Sequence, residues 1–194
     1  MLKTGILLLC LIGATNLLAY DEAKTSPFDM KIEHSVDTIH MLIRFSTALN
    51  SCGAYQFITD YENAKKITGV KQSKIISRQA NTVLVDRLAE ERILGFPVEM
   101  HTVEKYVEES DQKISFELIK GDPKSYKGSW NLQPDKSGTQ FIYQADLQMG
   151  SWIPNWVVEH FLKNSVKSRF QEMAALANSA SNEAYSVCSS LIRP

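Results

Sequence analysis

Between Thr139 and Met149 apolar and polar side chains alternate almost without a break. Thr139, Phe141, Tyr143, Ala145, Leu147 and Met149 share one face of an extended chain; Gln140, Gln144, Asp146 and Gln148 share the other, with Ile142 the apolar exception. Successive side chains of a strand point to opposite faces, so this segment predicts a sheet with one dry and one wet side. After Gly150-Ser151-Trp152-Ile153-Pro154 the period changes. Trp156, Val157, Phe161, Leu162, Val166, Phe170, Met173 and Ala177 fall at helical spacing, opposite Glu159, Lys163, Lys167 and Glu172. The predicted helix starts near Pro154, where a first-turn N–H has no partner to lose, and ends at Asn178, a length of about 36 Å at 1.5 Å per residue.

The same reading divides the chain upstream. Residues 20–27 are a polar lead-in ending in Ser26-Pro27, and Met30 to Leu49 reads as two β-rich halves around a turn near Asp37. Asn50-Ser51 supplies an N-cap for a short helix with Ala54, Tyr55, Phe57 and Ile58 on one side. Asp60-Tyr61-Glu62 ends it, and Gly69 opens a strand over Val70–Arg78. Asn81–Ile93 and Phe96–Val107 predict two long strands about Gly95, with Pro97 marking an edge, a bulge or a strand start. Ile114, Phe116 and Leu118 alternate with Lys113, Ser115 and Glu117 in a further strand. Gly121-Asp122-Pro123 turns the chain into Tyr126–Leu132, and Pro134-Asp135-Lys136-Ser137-Gly138 is a hairpin turn. Runs of antiparallel strands with segregated helices define the α+β class. A curved antiparallel sheet closed over one long apolar helix can enclose a cavity, which suits a greasy ligand better than a polar substrate.

The N-terminus changes where this domain is expected to work. Lys3, an uncharged apolar run from Thr4 to Leu18, and the small residue Ala19 before Tyr20-Asp21-Glu22 have the form of a secretory signal peptide. An uncleaved anchor is the alternative, although the run is short for a membrane span. The expected organisation is a signal peptide over 1–19, one domain over 20–178 and a Ser- and Asn-rich tail over 179–194, in a periplasmic or secreted protein. The full chain carries a formal net charge of −1. Near-neutrality without a basic stripe argues against nucleic acid and against electrostatic membrane docking. Beyond residue 19 two cysteines remain, Cys52 and Cys188. An even count in an exported chain predicts a disulfide between the short helix and the tail, with two free thiols as the alternative. So long a loop would stabilise the fold by up to about 4–5 kcal/mol in the chain-entropy picture.

Candidate chemistry is sparse. His34, His40, His101 and His160 lack metal-ligand spacing, and His160, beside Phe161 on the predicted helix, is the one nearest an apolar face. Glu99 and His101 share one face of a strand, as an acid–base pair or as a solvated outer edge. No nucleophile elbow, P-loop, HExxH or dinucleotide fingerprint is present. No catalytic residue, metal or cofactor is therefore assigned. Lys71, Lys74 and Arg78, with Lys163, Lys167 and Arg169, are either solvated charges or a small basic rim. The inward aromatic set comprises Phe116, Trp130, Phe141, Tyr143, Trp156, Phe161 and Phe170; residue type alone leaves open whether it fills a solid core or lines a cavity.

Several pieces together resemble the START/Bet v 1-like superfamily, which includes START lipid-transfer domains, coenzyme Q-binding proteins and polyketide cyclases. They are Ile58-Thr59-Asp60-Tyr61-Glu62, Gly69-Val70-Lys71-Gln72-Ser73, Gly95-Phe96-Pro97-Val98, Gly128-Ser129-Trp130-Asn131-Leu132 and Gly150-Ser151-Trp152-Ile153-Pro154-Asn155-Trp156-Val157-Val158. The last is the most specific, because START domains enter their C-terminal helix through a similar Ile-Pro-x-Trp sequence. The resemblance spans about Leu49 to Ala177. It implies a helix-grip fold, a sheet wrapped around the C-terminal helix with a hydrophobic tunnel between them, and lipid, sterol, isoprenoid or polyketide-like ligands. It makes cavity walls of about half of the aromatic set. Many START domains carry an Arg-Asp pair after the Phe-Pro segment, where this chain has Glu99-Met100-His101, so no head-group contact is carried over there. The expected function is binding or transfer of a hydrophobic ligand by a monomer that touches membranes transiently, with Gly150–Asn155 and Tyr61–Gly69 as gates. A polyketide cyclase- or hydrolase-like enzyme using Glu99, His101 or Tyr143 is the alternative.

Overall fold

The computed structural model describes residues 28–93, 96–150, 158 and 161–180. Eight strands form one sheet: β1 (Phe28–His34), β2 (Ile39–Thr47), β3 (Val70–Gln79), β4 (Thr82–Ile93), β5 (Phe96–Ser110), β6 (Lys113–Gly121), β7 (Ser125–Asp135) and β8 (Gly138–Gln148). Their order across the sheet is β1-β2-β8-β7-β6-β5-β4-β3, every neighbour antiparallel. From β4 to β8 each strand pairs with its predecessor; the long-range step is β2 onto β8, with Phe45 opposite Phe141. Between β2 and β3 lie α1 (Ser51–Thr59) and a 3-10 helix (Tyr61–Lys66). After β8 the chain returns as a helix, described as a π-wound stretch over Phe161–Val166 and α2 (Lys167–Ala180). This is the α+β helix-grip architecture expected from the sequence.

Local chemistry accounts for the joints. Asn50 caps α1, its side chain accepting from the Gly53 N–H at 2.8 Å. Pro97 is the second residue of β5, so it marks a strand start. The predicted Pro134–Gly138 turn is tighter than its sequence suggests: β7 runs to Asp135 and β8 begins at Gly138, leaving Lys136-Ser137 between them. β5 extends beyond Val107 to Ser110 because Glu108 and Ser110 still find partners on β6. The predicted helix start at Pro154 lies outside the described residues, as do Trp156, His160 and Cys188.

The sheet's inner face is dry at one end. Ile43, Phe45, Phe141, Leu132, Ile114, Val83 and Val85 are buried there, and Ala54 of α1 packs with them. Phe45 and Phe141 stack with ring centres 4.9 Å apart, and Phe57 of α1 meets Phe141 edge-on at 6.1 Å. A partly buried carboxylate ties the helical segments down. Glu108 accepts from the Tyr55 hydroxyl (3.1 Å), the Tyr61 hydroxyl (3.2 Å) and Arg78 (3.1 Å). Burial first, and then the facing Glu108 charge, push the Tyr55 and Tyr61 phenols above their usual range. Both stay neutral donors, which is what that carboxylate needs.

Candidate functional site

Away from the packed end, sheet and helix separate around a cavity of about 840 Å³. That volume suits a lipid-sized molecule. One wall is an aromatic series: Tyr106 and Phe116 (5.7 Å between centres), Phe116 and Tyr126 (5.0 Å), Tyr143 and Trp130 (4.8 Å), Tyr143 and Phe170 (4.9 Å). Met41, Met100, Leu147, Met173 and Leu176 supply aliphatic and thioether surface. The 3-10 helix contributes Tyr61, Asn63, Ala64 and Lys66 at the margin.

Five of the seven expected aromatic residues meet at this cavity: Phe116, Trp130, Tyr143, Phe161 and Phe170. Phe141 does not, and its expected place in the wall is corrected. It is fully buried in the packed end, sandwiched by Phe45 and Phe57, two residues from Tyr143 on the same strand face. Trp156 lies outside the described residues. Glu99 and His101, the expected acid–base pair of an enzyme, are not in the cavity wall either. Odd positions of β5 turn to the outer face, where His101 meets Asp86 at 3.2 Å, while Met100 and Thr102 line the cavity.

Polar chemistry enters the cavity from residues that the sequence reading missed. Arg87 of β4 donates to Glu104 of β5 at 3.1 Å and to the Tyr106 hydroxyl at 3.0 Å; its Nε reaches Ser73 Oγ at 3.3 Å. Glu104 is 2% exposed and also accepts from Thr102 (2.8 Å) and from the Tyr106 hydroxyl. Beside this group the Tyr126 and Tyr143 hydroxyls share a hydrogen bond. Burial opposes the charge on Arg87, but Tyr106 and Glu104 outweigh it and hold the guanidinium above its ordinary range. Burial lifts the Tyr106, Tyr126 and Tyr143 phenols as well. The cavity thus offers a fixed cation, a paired carboxylate and neutral O–H groups within an apolar shell. A ligand's carbonyl or hydroxyl can be hydrogen-bonded there; a strong base is not on offer among the phenols.

The helix is fastened across the cavity. Arg169 of α2 donates to the Glu90 carbonyl (2.8 Å) and to Glu91 (2.9 Å), and lies over the Phe161 ring at 5.4 Å. Glu172 accepts from the Thr68 N–H (2.8 Å) and hydroxyl (3.0 Å). The Arg169 guanidinium sits on Gly69, whose φ of +85° and lack of a Cβ leave room for it. Three of the six residues suggested as a basic rim are matched by carboxylates: Lys71 meets Glu90 at 3.2 Å, Arg78 meets Glu108 at 3.1 Å and Arg169 meets Glu91.

A second constellation has the hydrogen-bond order of a hydrolase triad. Ser35 Oγ is 3.3 Å from His40 Nε2, and His40 Nδ1 is 2.7 Å from Asp146. It lies on the open outer face, His40 and Asp146 nearly half exposed. The Ser35 N–H, which could have faced an oxyanion, is spent on the Thr38 carbonyl at 2.9 Å. It is a surface hydrogen-bond chain. Among the described residues no group of His, Cys, Asp and Glu is placed to hold a metal, and no helix is long and apolar enough to cross a membrane.

Solved structures show the same fold at low identity. The Zhui aromatase/cyclase from Streptomyces sp. R1128 superposes with a TM-score of 0.63 at 10% identity, covering 76% of this chain and 97% of its own. TTHA0849 from Thermus thermophilus gives 0.61 at 16% identity over 74% of this chain and 99% of that one. A STAR-related lipid transfer protein from Xanthomonas axonopodis gives 0.60 at 12% identity over 78% and 99%. No curated protein matches this chain in sequence. A family model described as polyketide cyclase/dehydrase and lipid transport matches residues 52–174, from α1 through most of α2. By that match across more than half its length, this chain belongs to the polyketide cyclase/dehydrase and lipid transport family.

Proposed function

We propose that this protein binds a mostly apolar ligand with one oxygenated end, a lipid, sterol or isoprenoid, and carries it through an aqueous compartment. The observation that carries this reading is the combination of an 840 Å³ cavity, largely aromatic and aliphatic in its wall, with an embedded polar group, Arg87–Glu104–Tyr106. Burial of hydrocarbon at about 25 cal/mol per Å² supplies the affinity, and the polar group orients the ligand. Phe116, Trp130, Tyr143, Phe161 and Phe170 are the wall contacts in this reading, with Arg87 and Tyr126 at the oxygenated end. Native mass spectrometry of the purified protein, followed by solvent extraction, is expected to release a hydrophobic compound with a hydroxyl, carbonyl or carboxyl group. Protein that is empty, and stays empty when offered such compounds, would sink the carrier reading.

A cyclase-like enzyme is the second reading. It is favoured by the Tyr126–Tyr143 hydroxyl pair next to Arg87, which could polarise a ligand carbonyl. Conversion of an added polyketone by the protein, lost on Tyr126→Phe, would decide for it.

We place the protein outside the cytoplasm, periplasmic or secreted, as a monomer that visits membranes and has no nucleic-acid partner. The support for export is the signal-like segment 1–19 and the pair Cys52 and Cys188, and the near-neutral charge of −1 speaks against nucleic acid. In protein recovered from its native host, mass measurement is expected to find the chain beginning near Tyr20 and no thiol open to alkylation until reductant is added. Two freely alkylated thiols would remove the disulfide.

A further inference from the structure

Hydrogen-bonding capacity inside the cavity is unevenly used. Glu104 accepts from Thr102 through Oε1 and from Arg87 and Tyr106 through Oε2. Tyr106 donates its only hydrogen to that carboxylate, while its oxygen accepts from Arg87. Arg87 Nε donates to Ser73 Oγ, whose own hydrogen goes to the Tyr61 carbonyl at 2.6 Å. Two groups keep hydrogens in hand. Arg87 Nη2 has no partner among the described residues. The Tyr126 and Tyr143 hydroxyls share one bond but carry two hydrogens, so one phenolic hydrogen is left over. All three residues line the cavity. Arg87 shows 21% of its side chain and Glu104 only 3%, so a ligand meets the guanidinium and not the carboxylate behind it. Phe116 holds the tyrosines around one point, its ring centre 5.7 Å from Tyr106, 5.0 Å from Tyr126 and 5.8 Å from Tyr143.

What is left over are donors, which suit an oxygen acceptor. Charge then decides which acceptor. Arg87 is matched by Glu104 at 3.1 Å and Arg169 by Glu91 at 2.9 Å; Lys66 and Asp60, one of each sign, stand at the exposed margin. A carboxylate pressed against Arg87 would lose its water and face Glu104 across the guanidinium. It would find no uncompensated cation inside the cavity among the described residues, and a buried charge without one is costly. A carbonyl oxygen offers two lone pairs and no charge, so it satisfies the same donors without that penalty. A hydroxyl can accept as well but brings one more hydrogen to place.

We infer that the cavity selects a long-chain molecule ending in an uncharged carbonyl, a ketone or an ester, and rejects the ionised fatty acid, because the cation that meets the ligand is already neutralised by Glu104. The inference rests on the hydrophobic-ligand reading above and adds the chemical class and charge of the oxygenated end. Displacement of the neutral dye N-phenylnaphthylamine from the full-length protein tests it, at about pH 8, where a carboxylic acid is ionised. Methyl undecyl ketone, methyl dodecanoate, dodecanoate and tridecane carry the same undecyl chain and differ at the end. The ketone and the ester are expected to bind at least about tenfold more tightly than dodecanoate and than tridecane, the worth of hydrogen bonds from a charged donor. Dodecanoate or tridecane equal to the ketone would overturn the inference and leave the carrier reading standing. A protein that takes up neither the dye nor any of the four would overturn both.

Glu104→Gln keeps the size of the side chain and removes its charge, leaving Arg87 unmatched. Dodecanoate is then expected to gain at least about tenfold while the ketone stays within about threefold; a merely structural Glu104 would weaken all four ligands together. A Glu104→Gln protein with the parent's circular dichroism and no gain for dodecanoate would overturn the inference. Should that variant fail to fold, the parent's ranking of the four ligands decides alone.

Discussion

Arg87→Met is expected to destabilise the fold by about 3–5 kcal/mol, the usual cost of stripping one partner from a buried ion pair. Glu104 is 2% exposed and would keep only Thr102 and Tyr106 as donors. Urea unfolding measures the loss. The double variant Arg87→Met/Glu104→Leu is expected to recover most of it, because a well-packed apolar pair can replace a buried salt bridge at little or no cost. Ligand choice should then change where stability does not. The double variant is expected to take up saturated hydrocarbon and the corresponding alcohol equally, whereas the parent prefers the alcohol. An Arg87→Met protein as stable as the parent would mean that Glu104 is already solvated, and the polar end of the site would lose its basis.

Ala89→Trp is expected to lower ligand uptake by at least about tenfold, since steric exclusion removes most of the contact that hydrophobic burial supplies. Ala89 is 8% exposed, lines the cavity and faces Met100 across the β4–β5 pair, beside the polar group at Arg87. The indole would enter open space rather than a packed layer, so thermal unfolding should move little; overpacking costs stability only where no space exists. Fluorescent-probe titration and a melting curve on the same sample separate the two effects. Undiminished uptake by a folded Ala89→Trp protein would move the ligand out of this cavity.

The sequence was most informative where structure is local. The alternation from Thr139 to Leu147 placed Phe141, Tyr143, Ala145 and Leu147 on the buried face, where they are found. Asn50, Pro97 and the Lys136-Ser137 turn also act within a few residues of themselves in the chain, so their roles were legible. The candidate site was legible only in part. Phe141 and Tyr143 share a phase and an aromatic ring, yet one closes the packed end and the other faces the cavity. That difference is set by Phe45 on β2 and Phe57 on α1, both remote from β8 in the chain. Arg87 and Glu104 left a signal that went unread: Arg87 is in phase with the buried Val83 and Val85, and Glu104 with the buried Tyr106. A charge in an inward phase must find a partner or neutralise, but phase alone does not say which partner.

What the sequence by itself determined is the order of elements, the dry face of each clearly alternating strand, the amphipathic terminal helix and hence the α+β class. These follow from backbone geometry, which repeats every two residues in a strand and every 3.6 in a helix. What only the tertiary structure decided is which part of the dry face is packed solid and which stands off from α2, where Arg87 meets Glu104, and how Arg169 and Glu172 fasten the helix across the opening. Those features depend on distances between strands and helix, which no local period encodes.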